Sequence, residues 1–197
     1  NMDQSVKDAL ARWPNVPAVF GWLSLDGRGR WRLHPQGQAG QGGAGESITN
    51  TQILDFINRN YEHDDAGRWY FQNGPQRVFV RLDGAPFVLR LSDDNRRLLT
   101  HTDVPVDAIS SWWLDDAGQL YAATPAGAGL LLDRDLPAVL EKLCTEDGAP
   151  LLEALADLSP DTTILVSWPG VYPAAPLCAI TRQDVARRLG FDPNPAG

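Results

Sequence analysis

The sequence has 197 residues, 43% hydrophobic and 21% charged, with a formal net charge of −8 at pH 7. That length suits one large domain or two small ones, and the composition is that of a folded chain, not a disordered one. The acidic balance argues against DNA or RNA as a partner, since such binding draws most of its affinity from phosphate neutralisation, and no apolar run approaches the roughly 18–20 residues that a membrane-spanning helix needs. The first eight residues lack a basic stretch followed by an apolar one, so no secretory signal is expected. Cys144 and Cys178 lie far apart and outside any C-x-x-C pair, which points to reduced thiols and a cytoplasmic location.

In chain order, Val6, Ala9, Leu10 and Trp13 stand at helical spacing and predict an amphipathic helix over 3–13, stopped by Pro14. Residues 19–25 are apolar and meet the turn Asp26-Gly27-Arg28-Gly29, after which 30–33 alternate, a β-hairpin. The Gly/Gln-rich stretch 36–45 reads as a flexible loop. Thr49 or Asn50 caps the next helix, with Ile53, Leu54, Phe56, Ile57 and Tyr61 as its buried stripe. Strands follow at 69–72, 77–82 and 87–91, separated by Asn73-Gly74-Pro75 and Asp83-Gly84 turns. Beyond residue 100 the pattern predicts strands over 109–114, 120–124, 130–132 and 162–168, helices over 136–143 and 150–158, and a short strand at 178–180. A helix over 181–189 opens on Thr181 and Asp184 and stops at Gly190, leaving a loose Pro-rich tail.

Internal similarity runs through this pattern. Leu25-Asp26-Gly27-Arg28-Gly29 and Leu114-Asp115-Asp116-Ala117-Gly118 share L-D-x-x-G at an offset of 89 residues, and Val16-Pro17 matches Val104-Pro105 at an offset of 88. Asp64-Asp65-Ala66-Gly67 repeats the turn once more. The motif also makes a good hairpin turn that recurs by chance, so duplication and chance both remain open at this point.

Catalytic chemistry finds little support. His34, His63 and His101 are scattered, without H-E-x-x-H or C-x-x-C spacing, so no metal site is read. No G-x-S-x-G is present, and neither cysteine has a basic or helix-start context, so no catalytic residue and no cofactor are assigned. Paired carboxylates such as Asp93-Asp94 fall at turns, where Asp serves backbone hydrogen bonds.

Binding chemistry is better represented. The chain has seven tryptophans, and Tyr61, Trp69, Gln72, Asn73, Gln76 and Arg77 gather around one helix end and one hairpin. Aromatics beside amides and arginines suit a planar anionic ligand, by stacking and charge-assisted hydrogen bonds. The alternative is that the tryptophans fill a core and the Gln-Asn-Gly-Pro-Gln run is only a turn.

The runs Trp13-Pro14-Asn15-Val16-Pro17, Gly21-Trp22-Leu23, Phe56-Ile57-Asn58-Arg59-Asn60-Tyr61 and Phe71-Gln72-Asn73-Gly74-Pro75-Gln76-Arg77-Val78 resemble a proteobacterial family catalogued only as a domain of unknown function. A weaker similarity, on Gly29-Arg30-Trp31, Gly67-Arg68-Trp69-Tyr70-Phe71, Pro75-Gln76-Arg77-Val78 and Asp83-Gly84-Ala85-Pro86-Phe87, leads to the DUF1285 type. That similarity implies a duplicated α+β fold, a second half like a pleckstrin-homology domain, a ligand site between the halves and a nucleotide-like ligand in a signalling role. The long Gly/Gln loop and a poorer match beyond residue 100 depart from its pattern.

The expectation is therefore an α+β protein of two similar halves, 1–100 and 101–197, each of antiparallel strands packed on helices. It would be a non-enzymatic binding module for a small anionic or nucleotide-like ligand, with Arg77 and Arg81 meeting the anion and Trp69 or Tyr61 stacking. A protein–protein adaptor is the alternative. Oligomeric state is not read from the sequence.

Overall fold

The computed structural model describes residues 2–197. Residues up to Pro86, together with Gly190–Gly197, form one compact unit, and Phe87–Leu189 form another. Each is α+β. The first opens with α1 (Gln4–Arg12) and a six-stranded sheet built from β1 (Val19–Leu25), β2 (Trp31–Leu33), β3 (Glu46–Ser47), β4 (Tyr61–His63), β5 (Trp69–Asn73) and β6 (Gln76–Leu82), with α2 (Thr51–Arg59) between β3 and β4. Its strand order is β3-β2-β1-β6-β5-β4. The second carries β7 (Phe87–Leu91), β8 (Leu98–Thr100), β9 (Ser111–Leu114), β10 (Leu120–Thr124), β11 (Gly127–Leu131), α3 (Leu136–Lys142), β12 (Cys144–Thr145), α4 (Leu151–Ala154), β13 (Thr163–Trp168), β14 (Tyr172–Ala179) and α5 (Arg182–Leu189). Its order is β12-β13-β14-β9-β10-β11-β7-β8.

Set side by side, the two sheets share one wiring. In the first unit β1, β2 and β3 form an antiparallel meander, β4, β5 and β6 form another, and the two are joined by a parallel β1–β6 pairing. In the second, β9-β10-β11 and β12-β13-β14 pair in the same way and are joined by a parallel β9–β14 pairing. A helix follows the first meander in both cases, α2 or α3. The L-D-x-x-G turns at offset 89 connect the first two strands of each meander, so the sequence repeat and the topological repeat coincide. Duplication is the reading this agreement carries. The expected antiparallel pairing holds within the meanders; the parallel joins, and a third one between β11 and β7, are added by the structure.

The repeated turn is held by its aspartate. Asp26 Oδ1 accepts from the backbone N–H groups of Arg28 and Arg30, both at 2.9 Å. Asp64 Oδ1 does the same for Ala66 and Arg68, both at 3.0 Å, and Asp115 Oδ1 for Ala117 and Gln119, at 2.9 and 2.8 Å. The second carboxylate oxygen then takes a side-chain donor: Arg30 Nε at 2.9 Å, Arg68 Nε at 2.8 Å or the Tyr121 hydroxyl at 3.0 Å. Each carboxylate thereby satisfies two loop N–H groups that would otherwise need water.

Several elements differ from the sequence expectation. β7 and β8, read as part of the N-terminal half, pair onto β11 in the second sheet. The helix expected to reach Tyr61 ends at Arg59, where Asn60, fully buried, donates its side-chain N–H to the Phe56 carbonyl at 2.9 Å and accepts from Asp3 N at 2.8 Å. Tyr61 then begins β4. The helix expected over 150–158 is a single turn of α-helix followed by a 3-10 turn. The short strand expected at 178–180 is the last part of the eight-residue β14, whose Pro173 and Pro176 argue against a central strand. Both prolines precede the ladder with β9, which runs only over Leu177–Ala179. The Gly/Gln stretch is ordered around a 3-10 turn with Ala39 buried, and Arg81 donates to the Ala39 and Gly43 carbonyls at 2.7 and 2.8 Å. The Pro-rich tail is docked too: Leu82 N donates to Pro193 O and Asp192 N to Gly67 O, both at 2.8 Å.

Four tryptophans fill cores: Trp31 and Trp69 in the first unit, Trp112 and Trp168 in the second. Buried side chains of this kind contribute about 1.5–3 kcal/mol each by area. In the second unit Tyr172 donates to the Val106 carbonyl at 2.7 Å and accepts from Leu98 N at 3.0 Å, tying β14 to the segment before β9.

Two predictions follow from these cores. Asp115→Ala removes the acceptor of two backbone N–H groups and of Tyr121, at a position 6% exposed. Urea denaturation is expected to show a loss of about 2 kcal/mol, whereas Asp93→Ala, fully exposed, should stay within about 0.5 kcal/mol. The His101 ring, whose Nδ1 accepts from Val88 N at 3.1 Å, is lowered by burial to about 3 from an ordinary 6.5. The unfolded chain therefore takes up a proton near pH 6.5 that the folded chain refuses. This contribution to stability is full above pH 6.5 and is lost as pH falls from 6.5 toward 3. Between pH 6.5 and 5 the slope of unfolding free energy against pH should be shallower in His101→Gln by up to one proton, about 1.4 kcal/mol per pH unit.

Candidate functional site

Strand alternation sorts the first sheet into two faces. Registers place Leu23, Leu33, Val78, Val80 and Phe71 on one face, and Ser24, Arg32, Arg81, Phe79 and Tyr70 on the other. α2 lies over part of the first face, where Ile57 is buried, Phe56 meets Phe71 edge-on at 5.6 Å, and Asn58 Oδ1 accepts from Trp31 Nε1 at 2.8 Å. Asn50 caps α2, its Oδ1 accepting from Ile53 N at 3.1 Å. Because α2 covers only part of this face, a cavity of about 710 Å³ remains beside it.

The floor and walls of the cavity are apolar. β1 supplies Val19, Trp22 and Leu23, β2 Leu33, α2 Ile53 and Ile57, β5 Phe71, β6 Val78, and Ile48 closes the end next to β3. Polar groups stand around it: Ser47, Thr49 and Asn50 before α2, and Asn73 and Gln76 where β5 turns into β6. Glu46 is the one charged residue among the lining residues. Three large apolar side chains of the lining, Trp22, Leu33 and Ile53, are 42%, 41% and 51% exposed. Their exposure on one concave surface distinguishes it from ordinary scattered surface hydrophobics.

A bulge makes this wall. Val19 pairs with Val78 and Leu23 with Val80, so β1 has four steps where β6 has two. Trp22 and Leu23, adjacent in sequence, consequently both line the cavity, which regular alternation forbids. The bulge rests on Gly21, at φ 86°, whose missing Cβ would lie 2.2 Å from the Gly37 carbonyl oxygen. Gly37, in turn, sits against the Trp22 indole, and a Cβ there would come within 3.1 Å of the ring.

The residues singled out from the sequence divide between the two faces. Asn73 and Gln76 line the cavity, with Gln76 Nε2 donating to the Pro17 carbonyl at 3.4 Å. Tyr61 and Trp69 share that face but are buried beyond the cavity, their rings 4.9 Å apart; Tyr61 donates to the Pro86 carbonyl at 2.7 Å, and burial pushes its phenol well above its ordinary range. Gln72, Arg77 and Arg81 lie on the opposite face. Gln72 is buried and donates to Gly74 O at 3.1 Å, and Arg77 covers the Tyr70 ring at 3.9 Å. Arg81 pairs with Asp83 at 2.9 Å besides holding the 36–45 segment. The sheet thus separates both arginines from the cavity. Trp22, Leu33, Ile48 and Ile53 line the cavity without having been singled out from the sequence as site residues, and the bulge that turns Trp22 into the wall shows only in the strand register.

No group of three or more His, Cys, Asp or Glu side chains that could hold a metal is found among the described residues. Nor is any helix among them long and apolar enough to cross a membrane.

The model of the DUF2944 family, described as "Protein of unknown function (DUF2946)", matches residues 2–196. No curated protein matches the chain. Among solved structures, a DUF1285 family protein from Silicibacter pomeroyi DSS-3 is similar at 16% identity and a TM-score of 0.50, over 89% of this chain and 97% of that one. A DUF1285 family protein from Shewanella baltica OS155 is similar at 13% identity and a TM-score of 0.42, over 60% of this chain and 90% of that one. These likenesses concern the fold alone. The resemblance read from the sequence to a family of unknown function is borne out by the family match over residues 2–196, and the weaker one to the DUF1285 type holds at the level of the fold.

Gly21→Ala must place a methyl group into the Gly37 carbonyl at a positive φ, and is expected to lower stability by at least about 2 kcal/mol in urea denaturation. Gly42→Ala, also at positive φ but with open space around the added carbon, should cost about 1 kcal/mol. Equal effects would show that the close approach at Gly21 is unimportant.

Proposed function

The chain belongs to the DUF2944 family of proteins of unknown function, and from the lining of the cavity we propose that it is a binding module for a small, largely apolar ligand. The observation that carries this reading is the conjunction of a 710 Å³ concavity with nine apolar lining residues, three of them substantially exposed. Small-molecule sites are concave, mostly apolar, of about 300–1,000 Å³, and carry a few polar groups at defined places. Asn73, Gln76 and Thr49 supply such groups, so a ligand with an apolar body and one hydrogen-bonding end suits the site.

The nucleotide-like anion expected from the sequence is less well served. Arg77 and Arg81, which would meet it, lie across the sheet from the cavity and already have partners in Tyr70 and Asp83. The lining contains no basic residue. A protein-binding role through the exposed apolar residues is the competing reading; the 710 Å³ volume, within the range of small-molecule sites, favours the small ligand over it.

Fluorescence titration with N-phenyl-1-naphthylamine, a neutral apolar probe, tests the proposal. Saturable binding is expected, weakened at least about tenfold by Ile53→Arg, which puts a charge into the cavity from an exposed helix position, and unchanged by Arg77→Ala. A circular-dichroism melt establishes that Ile53→Arg is folded. Absence of saturable binding, or binding indifferent to Ile53→Arg in the folded variant, would overturn it.

A further inference from the structure

We propose that the cavity selects amphiphiles with a positively charged head, such as a long-chain or aryl amine, whose ammonium sits at Glu46 while its apolar body lies along the sheet. The inference rests on the cavity being the ligand site and adds the charge of the ligand.

Glu46 is the one ionisable residue in the lining. It is exposed on the edge strand β3, directly across from Leu33, which in turn stands across from Leu23. The row Glu46, Leu33, Leu23 runs across three neighbouring strands on the cavity face and meets Val80 on β6; Val78, two residues along β6, and its partner Phe71 on β5 carry the apolar lining onward. Four interstrand spacings of about 4.8 Å make a track roughly 19 Å long, with a carboxylate at one end and apolar side chains along the rest. Amides of Asn73 and Gln76 flank the far end and carry no charge.

Charge complementarity then decides the head group. A carboxylate or phosphate head would meet Glu46 with no basic residue in the lining to offset the repulsion, on a chain of net charge −8. Arg32 on the neighbouring strand is not among the lining residues: it stands on the other face, paired across from Ser47 at the cavity rim, donates to the Ser47 hydroxyl and lies 3.8 Å from the Asp26 carboxylate. A cation gains the Glu46 charge instead, and its apolar body meets the aromatic and aliphatic lining beyond.

The test is displacement of N-phenyl-1-naphthylamine from the full chain by dodecylamine, dodecanol and dodecanoate, each below its micellar range, at neutral pH and low salt. Dodecylamine is expected to compete at a concentration about fivefold lower than dodecanoate, an exposed ion pair giving no more than about that ratio. Glu46→Gln should bring the two within about twofold and leave dodecanol unchanged. Dodecanoate competing as well as dodecylamine would overturn the proposal, as would an amine preference that survives Glu46→Gln, which would assign selectivity to net charge instead of this site. Failure of the neutral probe to bind, or its indifference to Ile53→Arg, would remove the cavity reading itself and is distinguishable from either result.

Discussion

The approach of Gly21 to the Gly37 carbonyl is the constraint on which the candidate site depends. It forces β1 out of regular alternation, and the extra residues bring Trp22 onto the same wall as Leu23. The same contact sets the start of the 36–45 segment, which then crosses to the opposite face, where Arg81 holds it by two carbonyls. One close backbone approach therefore organises both faces: it shapes an apolar concavity on one and anchors a glycine-rich covering on the other. A side chain at Gly21 is incompatible with this arrangement, because van der Waals repulsion at 2.2 Å from a backbone oxygen rises far faster than any compensating contact; one at Gly37 must displace the Trp22 ring by a few tenths of an ångström.

The fold reuses a single plan. Two antiparallel meanders joined by a parallel pair appear in each unit, with the aspartate-held turn at the same step. In the first unit α2 leaves part of the face open; in the second Val139, Leu143 and Leu151 are fully buried. The cavity beside α2 belongs to the first copy.

Local signals in the sequence were sufficient for most elements. Alternation located β5, β6 and β7, the D-x-x-G turns located the hairpins, and the Thr49-Asn50 pair marked the start of α2, with Asn50 proving to be the cap. The repeat at offset 89 pointed to the duplicated plan because the aspartate does the same hydrogen-bonding in both copies. What the sequence could not show is pairing at a distance. β14 was hidden by Pro173 and Pro176, which are tolerated only because its ladder with β9 lies beyond them. Gly/Gln composition and a Pro-rich tail read as loose, yet Arg81, Gly67 and Leu82 fix them from far along the chain. The candidate site was half legible: Asn73 and Gln76 lie at it, while Arg77 and Arg81 fall on the opposite face, a consequence of β6 alternation that the sequence already contained. Trp22 was not legible as a wall residue, because only the bulge turns it there.

Methyl chemical-shift mapping by nuclear magnetic resonance is the most direct measurement of the central claim. With Ile, Leu and Val methyl groups labelled and a neutral apolar probe added, the account predicts concentration-dependent shifts at Leu23, Leu33, Ile53, Ile57 and Val78, with Leu143 and Leu151 unmoved. Shifts confined to residues outside the α2 side of the first sheet, with these five silent, would contradict it.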